Sequence, residues 1–378
     1  MPETAIQPNQ ASSDEQPNQS QSATDVLHFE KWLAIMGSRK ATDLHLSVGN
    51  VPMIRIDGKI APLEEEEIVS QERIQVIVDH LLTEEEKQIL EKEKQVVLSR
   101  TLKKVMRFRI HVFYSRSFLC VSLRHLPENC PSLDQYPNAQ LLQKVITASQ
   151  GLFVISGPFD SGKTTTVRSM ISEINKTQQK YIITLELPVE YIIPSDKSVV
   201  AQRGVGIDVP TFSDGLDEMH DEDVDVIMVG AVESADVLEK ALTMANSGRL
   251  VIAVISSKHE VSVLEILRDL VPEEDRPRIL HLLGDTLLGI SNQLLLPKVG
   301  GGRAFIVSSL ISTTPIKALI YEGKFGQIPN IMQTSGTSEG MITLDKALSE
   351  AVRRGEVALK DAQENAVDLN QFNMLVSH

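Results

Sequence analysis

The chain has 378 residues, more than one domain of about 150 requires, so two globular domains are expected. Apolar residues make up 42% and charged residues 23%, an ordinary composition for a chain that builds real cores. Its 37 basic and 51 acidic residues leave a net charge of −14, which argues against nucleic-acid binding driven by overall charge.

The opening residues are polar rather than basic and then apolar, so no secretory signal is expected. Residues 1–25 are rich in Gln, Asn, Ser and Pro and bury too little to offset the entropy of ordering, so they read as a disordered tail. Apolar residues then recur at helical spacing through Val26, Leu27, Phe29, Trp32, Leu33, Ile35 and Met36. Leu44, Leu46 and Val48 alternate with polar neighbours as in a half-buried strand. Met53 to Ile56 runs into Asp57-Gly58, a hairpin turn signal. Residues 71–94 predict two helices, the second opened by Thr83 with Glu86 at capping-box spacing. Two strands follow, Met106 to Phe113 and Phe118 to Arg124. Residues 26–130 thus read as a small α+β domain. Residues 131–150, with prolines at 127, 131 and 137 around their start, read as a linker. Only Cys120 and Cys130 occur, which excludes a disulfide scaffold or a four-cysteine zinc site and fits a reducing cytoplasm.

From Gly151 the pattern changes. Leu152 to Ile155 is a short, wholly apolar run, as in a strand buried on both faces. Tyr181 to Leu185, Val224 to Val229 and Leu250 to Ile255 repeat it, with helical segments between. Alternating strands and helices predict a largely parallel sheet covered on both faces, over residues 151–345. Residues 346–378 read as C-terminal helices with an apolar end from Phe372 to Val376. No run approaches the ~18 apolar residues of a membrane-spanning helix.

The segment Gly157, Pro158, Phe159, Asp160, Ser161, Gly162, Lys163, Thr164 matches G-x-x-x-x-G-K-[ST], with Thr165 following. Its glycines let backbone N–H groups curl around phosphate. Lys163 faces the β/γ oxygens, and the Thr164 hydroxyl is placed to hold Mg²⁺. A buried strand precedes the loop and a helix follows it, as the mechanism needs. ATP and Mg²⁺ are therefore the expected ligands; the pattern does not establish hydrolysis.

Phosphoryl transfer also needs an acid at a neighbouring strand end and a group that positions water. The strand Asp225 to Gly230 is the natural carrier, but Ala231 follows it, and a methyl group cannot hold metal or water. Glu233, two residues on, reads more plainly as a solvated acid. Glu186 and Glu190 flank Pro188 at another strand end, where acids reach metal or water in open α/β sheets; two exposed loop acids would look the same. Arg107, Arg109, Arg116 and Arg124 recur on the strand pair of the first domain, either as exposed decoration or as cations for a neighbouring subunit's triphosphate.

With these residues in view, the chain resembles the secretion-type ATPases that retract type IV pili, the PilT/PilU family, over about residues 27–372. The resemblance rests on Ala41 to Ser47, Pro52 to Gly58, Arg107-Phe108-Arg109, Leu123-Arg124, Gly151 to Thr166 and Gln202-Arg203. Later matches are Gly300 to Arg303, Pro315 to Ile320 and Gly340 to Asp345. The end of the chain, from Asp361 to Val376, is nearer the PilU branch. The resemblance implies a PAS-like first domain, a RecA-like P-loop domain and a hexameric ring. It further implies twitching motility as the process and Arg109 and Arg124 as cations acting in trans. The ring would be homomeric or shared with an active retraction ATPase. It would lie in the cytoplasm, peripheral to the inner membrane, at the pilus platform protein.

The departures fall on the chemistry. Leu187 replaces the Asp of the family's Glu-Asp-Pro-x-Glu motif, and Ala231 replaces the water-positioning Glu. Glu233-Ser234 stands for an Arg-Asp pair, and Gly248-Arg249 for Gly-His. Ser256-Ser257-Lys258 stands where a His is usual, with His259 displaced by three positions. Three functions compete: an active motor using Glu186 or Glu190, a nucleotide-binding ring component with weak or no hydrolysis that assists an active paralogue, and a structural relative with a relic site. An intact loop beside altered catalytic motifs favours the second.

Overall fold

The computed structural model describes residues 19–103, 106–127, 130–334 and 339–377. Their contacts divide the chain into two compact units: residues 19–97 with Ile110–His125, and Leu98–Arg109 with the residues from Leu126 on.

The first unit opens with α1 (Gln19–Ser38). Phe29, Trp32, Leu33 and Met36, spaced by three, one and three, put one stripe of α1 out of water. Trp32 Nε1 donates to Glu66 at 2.9 Å, which satisfies the polar end of a fully buried indole. The helix begins earlier than the expected tail allows. Asp25 is buried and accepts from Arg73 Nε at 2.7 Å, so residues 19–25 are folded; residues 1–18 lie outside the described residues. Next come β1 (Asp43–Ser47), β2 (Met53–Ile56), β3 (Lys59–Pro62), α2 (Gln71–Leu81) and α3 (Glu84–Glu93). Asp57 and Gly58, both at positive φ, turn β2 into β3. Thr83 and Glu86 cap the start of α3 reciprocally, as their spacing predicts. β4 (Gln95–Leu102), β5 (Met106–Ser115) and β6 (Phe118–Leu126) complete a sheet of six strands among the described residues, ordered β3-β2-β1-β6-β5-β4.

The second unit starts earlier than its apolar strands suggest. Residues 131–150, expected as a linker, hold a short 3-10 turn and α4 (Ala139–Ile146). Leu133, Tyr136, Leu142, Val145 and Ile146 pack into the core with Phe153 and Met170. These apolar side chains make the stretch part of the packed core, not a solvated tether. β7 (Gly151–Ser156), α5 (Lys163–Thr177), β8 (Tyr181–Glu186), β9 (Val199–Gly204), α6 (Phe212–Glu218), β10 (Val226–Val229), α7 (Ala235–Asn246) and β11 (Leu250–Ile255) follow. Then come α8 (Glu260–Asp269), α9 (Arg276–Thr286), β12 (Leu287–Pro297), β13 (Arg303–Ile311), α10 (Thr314–Tyr321), α11 (Ile328–Thr334), α12 (Leu344–Arg353), α13 (Leu359–Asn365) and α14 (Leu369–Ser377).

Seven described strands form one sheet, ordered β13-β12-β7-β11-β10-β8-β9. β12, β7, β11, β10, β8 and β9 pair in parallel. The edge strand β13 runs antiparallel to β12, so the expectation of a largely parallel sheet holds except at that edge. Side chains alternate between two buried faces. Leu152 and Val154 of β7 join the core under α7, α8 and α9, while Phe153 and Ile155 join the core under α4 and α5. That two-sided burial is why these strands read as continuous apolar runs. The C-terminal helices close a third core on β12 and β13 through Leu344, Leu348 and Phe372.

Candidate functional site

The register brings the carboxyl ends of five parallel strands, β7, β11, β10, β8 and β9, to one edge. Ser156 pairs with Ile255 there, Val229 with both Ala253 and Leu185, and Glu186 with Gly204. In open α/β sheets this edge is where loops can close on a ligand.

β7 leaves the edge through the glycine-rich loop into α5. Gly157 has φ +145, and a Cβ there would lie 2.3 Å from the Gln293 carbonyl and 2.5 Å from Ser161 Oγ, so no other residue fits. Gly162, at φ +89, caps the start of α5, a 15-residue helix whose first N–H groups face out of its N-terminus. Lys163 Nζ donates to the Gly157 and Pro158 carbonyls at 2.9 and 2.7 Å, folded across its own loop. Burial draws its pKa down to about 8, against the opposing pull of Asp160. Ser161 Oγ is buried and finds no hydrogen-bond partner among the described residues. A lysine resting on two carbonyls, an orphaned hydroxyl and a cradle that excludes Cβ fit a phosphate group. Phe159 and Thr164 are exposed, so the Thr164 hydroxyl is open to a ligand.

Residues distant in sequence brace the loop. Asn292 Oδ1 accepts from Ser156 Oγ at 3.0 Å and from Ser257 Oγ at 3.4 Å, and its Nδ2 donates to the Lys258 carbonyl at 3.3 Å. Gln293 Nε2 donates to Thr166 Oγ1 at 2.9 Å on the first turns of α5. Sequence reasoning missed both residues. Their signal is Ser291-Asn292-Gln293, three polar side chains wholly buried inside an otherwise apolar strand.

The acidic side of the edge differs. Ala231 follows β10 as the motif reading expects, and Glu233 is exposed just before Ser234, the N-cap of α7. Glu186 is buried, not a loop acid: its Oε1 accepts from Thr184 Oγ1 at 2.8 Å and from Gln202 Nε2 at 3.0 Å, and burial pushes its carboxyl pKa up. It ends the third strand from β7, which places it about 14 Å along the sheet from the strand that feeds the loop. Glu190 accepts from Arg109 Nη1 at 3.1 Å, and Arg107 donates to the Val189 and Glu190 carbonyls. Both arginines lie in the 98–109 segment that groups with the second unit. Arg124 donates to Asp43 at 2.9 Å within the first unit. Arg109 and Arg124, the two cations expected to serve a neighbour, are therefore each paired within their own chain. Arg116 sits at positive φ in the turn between β5 and β6.

Ser257 is buried, and its N–H approaches the Gly157 carbonyl at 3.4 Å. His259 caps α8: its Nδ1 accepts from the Ser262 N–H at 3.3 Å, and burial holds its pKa below the usual histidine value. An Nδ1 that accepts from backbone carries no proton there, so this ring is a neutral capping group.

A parallel sheet with helices on both faces, and a glycine loop from strand to helix at its carboxyl edge, define a RecA-like P-loop domain, which follows a PAS-like N-terminal domain. The family model for the type II/IV secretion system protein matches residues 27–310. This chain belongs to that family, and within it to the PilT/PilU-like type IV pilus retraction ATPases. It is 30% identical over 345 residues to the type IV pilus retraction ATPase PilT of Pseudomonas aeruginosa, covering 90% of this chain and 98% of that one. It is 28% identical to PilU of the same organism over 93% of this chain and 91% of PilU. The solved pilus retraction motor PilT with bound ADP superposes with a TM-score of 0.79 at 33% identity, over 91% of this chain and 98% of that chain. Among the described residues no helix is long and apolar enough to cross a membrane.

Proposed function

We propose that this chain binds ATP at the loop from Gly157 to Thr165, hydrolyses it weakly or not at all, and serves pilus retraction in a hexameric ring with an active paralogue. The observation that carries this is Ala231: the acid side of the site lacks its water-positioning group while the phosphate cradle is complete. The other carboxylates do not replace it. Glu190 is engaged by Arg109, and Glu186 is buried under two hydrogen bonds. Since phosphoryl transfer rests on positioning and electrostatics, ATP held here lacks an oriented nucleophile. Magnesium would take the exposed Thr164 hydroxyl and phosphate oxygens; it commonly keeps several waters and few protein ligands. When bound it would neutralise charge on the β and γ phosphates.

Binding and turnover measured on the same preparation test this reading. ATP should bind the wild-type chain, and Lys163→Ala should weaken binding at least tenfold, about 1.4 kcal/mol. Steady-state hydrolysis should stay at background in both. Ala231→Glu alone should not restore it, because Leu187, Ser256 and Glu233 stand in neighbouring positions unchanged. Wild-type turnover on the order of 1 s⁻¹ that Lys163→Ala abolishes would overturn the reading. Glu186→Gln and Glu190→Gln would then identify the base. Light scattering with saturating nucleotide should show a hexamer, alone or with the paralogue; monomer throughout would remove the ring.

A further inference from the structure

The phosphate loop carries an acid of its own. Asp160 lies three residues before Lys163, at φ +63, in the left-handed region that a non-glycine residue enters at a cost. An anion beside a site for polyphosphate opposes its ligand unless something compensates it. The compensating group comes from the far side of the sheet's edge hairpin. Arg303 Nη1 lies 2.7 Å from Asp160 Oδ2 and donates to the Asp160 carbonyl at 3.4 Å, so one guanidinium holds both the charge and the backbone of the loop.

The hairpin is built to deliver that group. β12 ends at Pro297, β13 starts at Arg303, and those two residues are register partners. Between them Gly300, Gly301 and Gly302 all have φ between +79 and +105. A Cβ on any of the three would meet nothing within 4 Å, so the turn needs glycine for its backbone path and not for space. Behind the loop, Leu295 and Phe305 of the same hairpin lie within 3.8 Å of where a Gly162 Cβ would sit. The hairpin thus flanks the loop on an apolar side and holds it by a charged group. The Asp160 and Arg303 side chains are 35% and 20% exposed, so water screens the pair only in part. Lys163 also feels the Asp160 charge, which links the pair to the group that faces phosphate.

We propose that Arg303 and Asp160 form a charge pair that sets the phosphate loop's affinity for nucleoside polyphosphates, with Arg303 masking a loop anion that would otherwise repel them. The proposal rests on the nucleotide-binding reading above. The signs of the single variants follow. Arg303→Gln exposes the anion and should weaken ATP binding about fivefold, as expected for a partly screened pair. Asp160→Asn removes the anion, leaves Arg303 uncompensated and should tighten ATP binding. The double variant should return to within about twofold of wild type. Charge also grades the effect: Arg303→Gln should cost ATP more than ADP, since ATP carries one more negative charge.

Calorimetric titration of the full chain and its three variants with ATP and with ADP reads all of this. A purely architectural arginine predicts a different pattern: Arg303→Gln and Asp160→Asn both weaken binding, ATP and ADP suffer equally, and the double variant recovers nothing. That pattern overturns the charge-pair proposal while leaving nucleotide binding intact. A wild-type chain that binds neither nucleotide overturns the nucleotide reading itself. Denaturant unfolding of each variant shows that it is folded under the titration conditions, so that a change in affinity reports the site and not loss of fold.

Discussion

Two stretches of one sheet edge stand in contrast. Around β7 and α5 every part of a phosphate site is present: Gly157 where a Cβ cannot fit, Gly162 capping the helix, Lys163 folded on its own loop, and Asn292 and Gln293 bracing both ends. Around β10, β8 and β11 the fold is equally well packed, but the polar side chains there are exposed, buried or engaged by other groups. Ala231 offers a methyl, Glu233 is exposed, Glu186 is buried and His259 caps a helix. The difference teaches that packing and catalysis place separate demands on the same strands. Val226 to Val229 are all buried, so they must stay apolar to keep the sheet closed. The residue after Gly230, Ala231, is only partly buried and lies outside the paired strand.

The contrast can be broken most sharply at Gly157. Gly157→Ala puts a methyl against the Gln293 carbonyl at φ +145, and should cost about 2–4 kcal/mol of stability and abolish nucleotide binding. Denaturant unfolding and an ATP titration measure the two effects. Unchanged stability would mean the loop relaxes and the cradle is not fixed.

A second test uses Lys163. Its pKa in the free chain is drawn down to about 8, and a bound triphosphate should raise it. Binding then favours the protonated amine. ATP affinity should be nearly constant below about pH 7 and fall as pH rises through 8, approaching tenfold per unit. Lys163→Arg, always charged, should flatten the profile over the same range. A flat wild-type profile would show that the lysine is not the titrating contact.

The smallest effect belongs to the acid side. Glu233→Gln should change stability by less than about 0.5 kcal/mol and leave ATP binding unchanged, because the side chain is exposed ahead of α7. A marked loss of affinity would return this acid to the site and narrow the contrast.

Much of this was legible in the chain itself, wherever the deciding physics is local. The glycine loop announces a strand-to-helix turn, the apolar runs announce strands buried on two faces, and Thr83 with Glu86 announces a capped helix, since each depends on neighbours within four residues. Tertiary structure decided what depends on distant partners. It drew the 133–146 stretch into the core beside Phe153, set Asp25 against Arg73, and placed an antiparallel edge strand next to β12. It also withdrew Glu186 from solvent and gave Glu190 to Arg109, 81 residues away. Most of all it brought Arg303 to Asp160, 143 residues earlier, which no spacing or period in the chain foretells. Such pairings arise only when strand order and register are settled, because the hydrophobic burial that settles them is indifferent to which polar groups it carries to the edge.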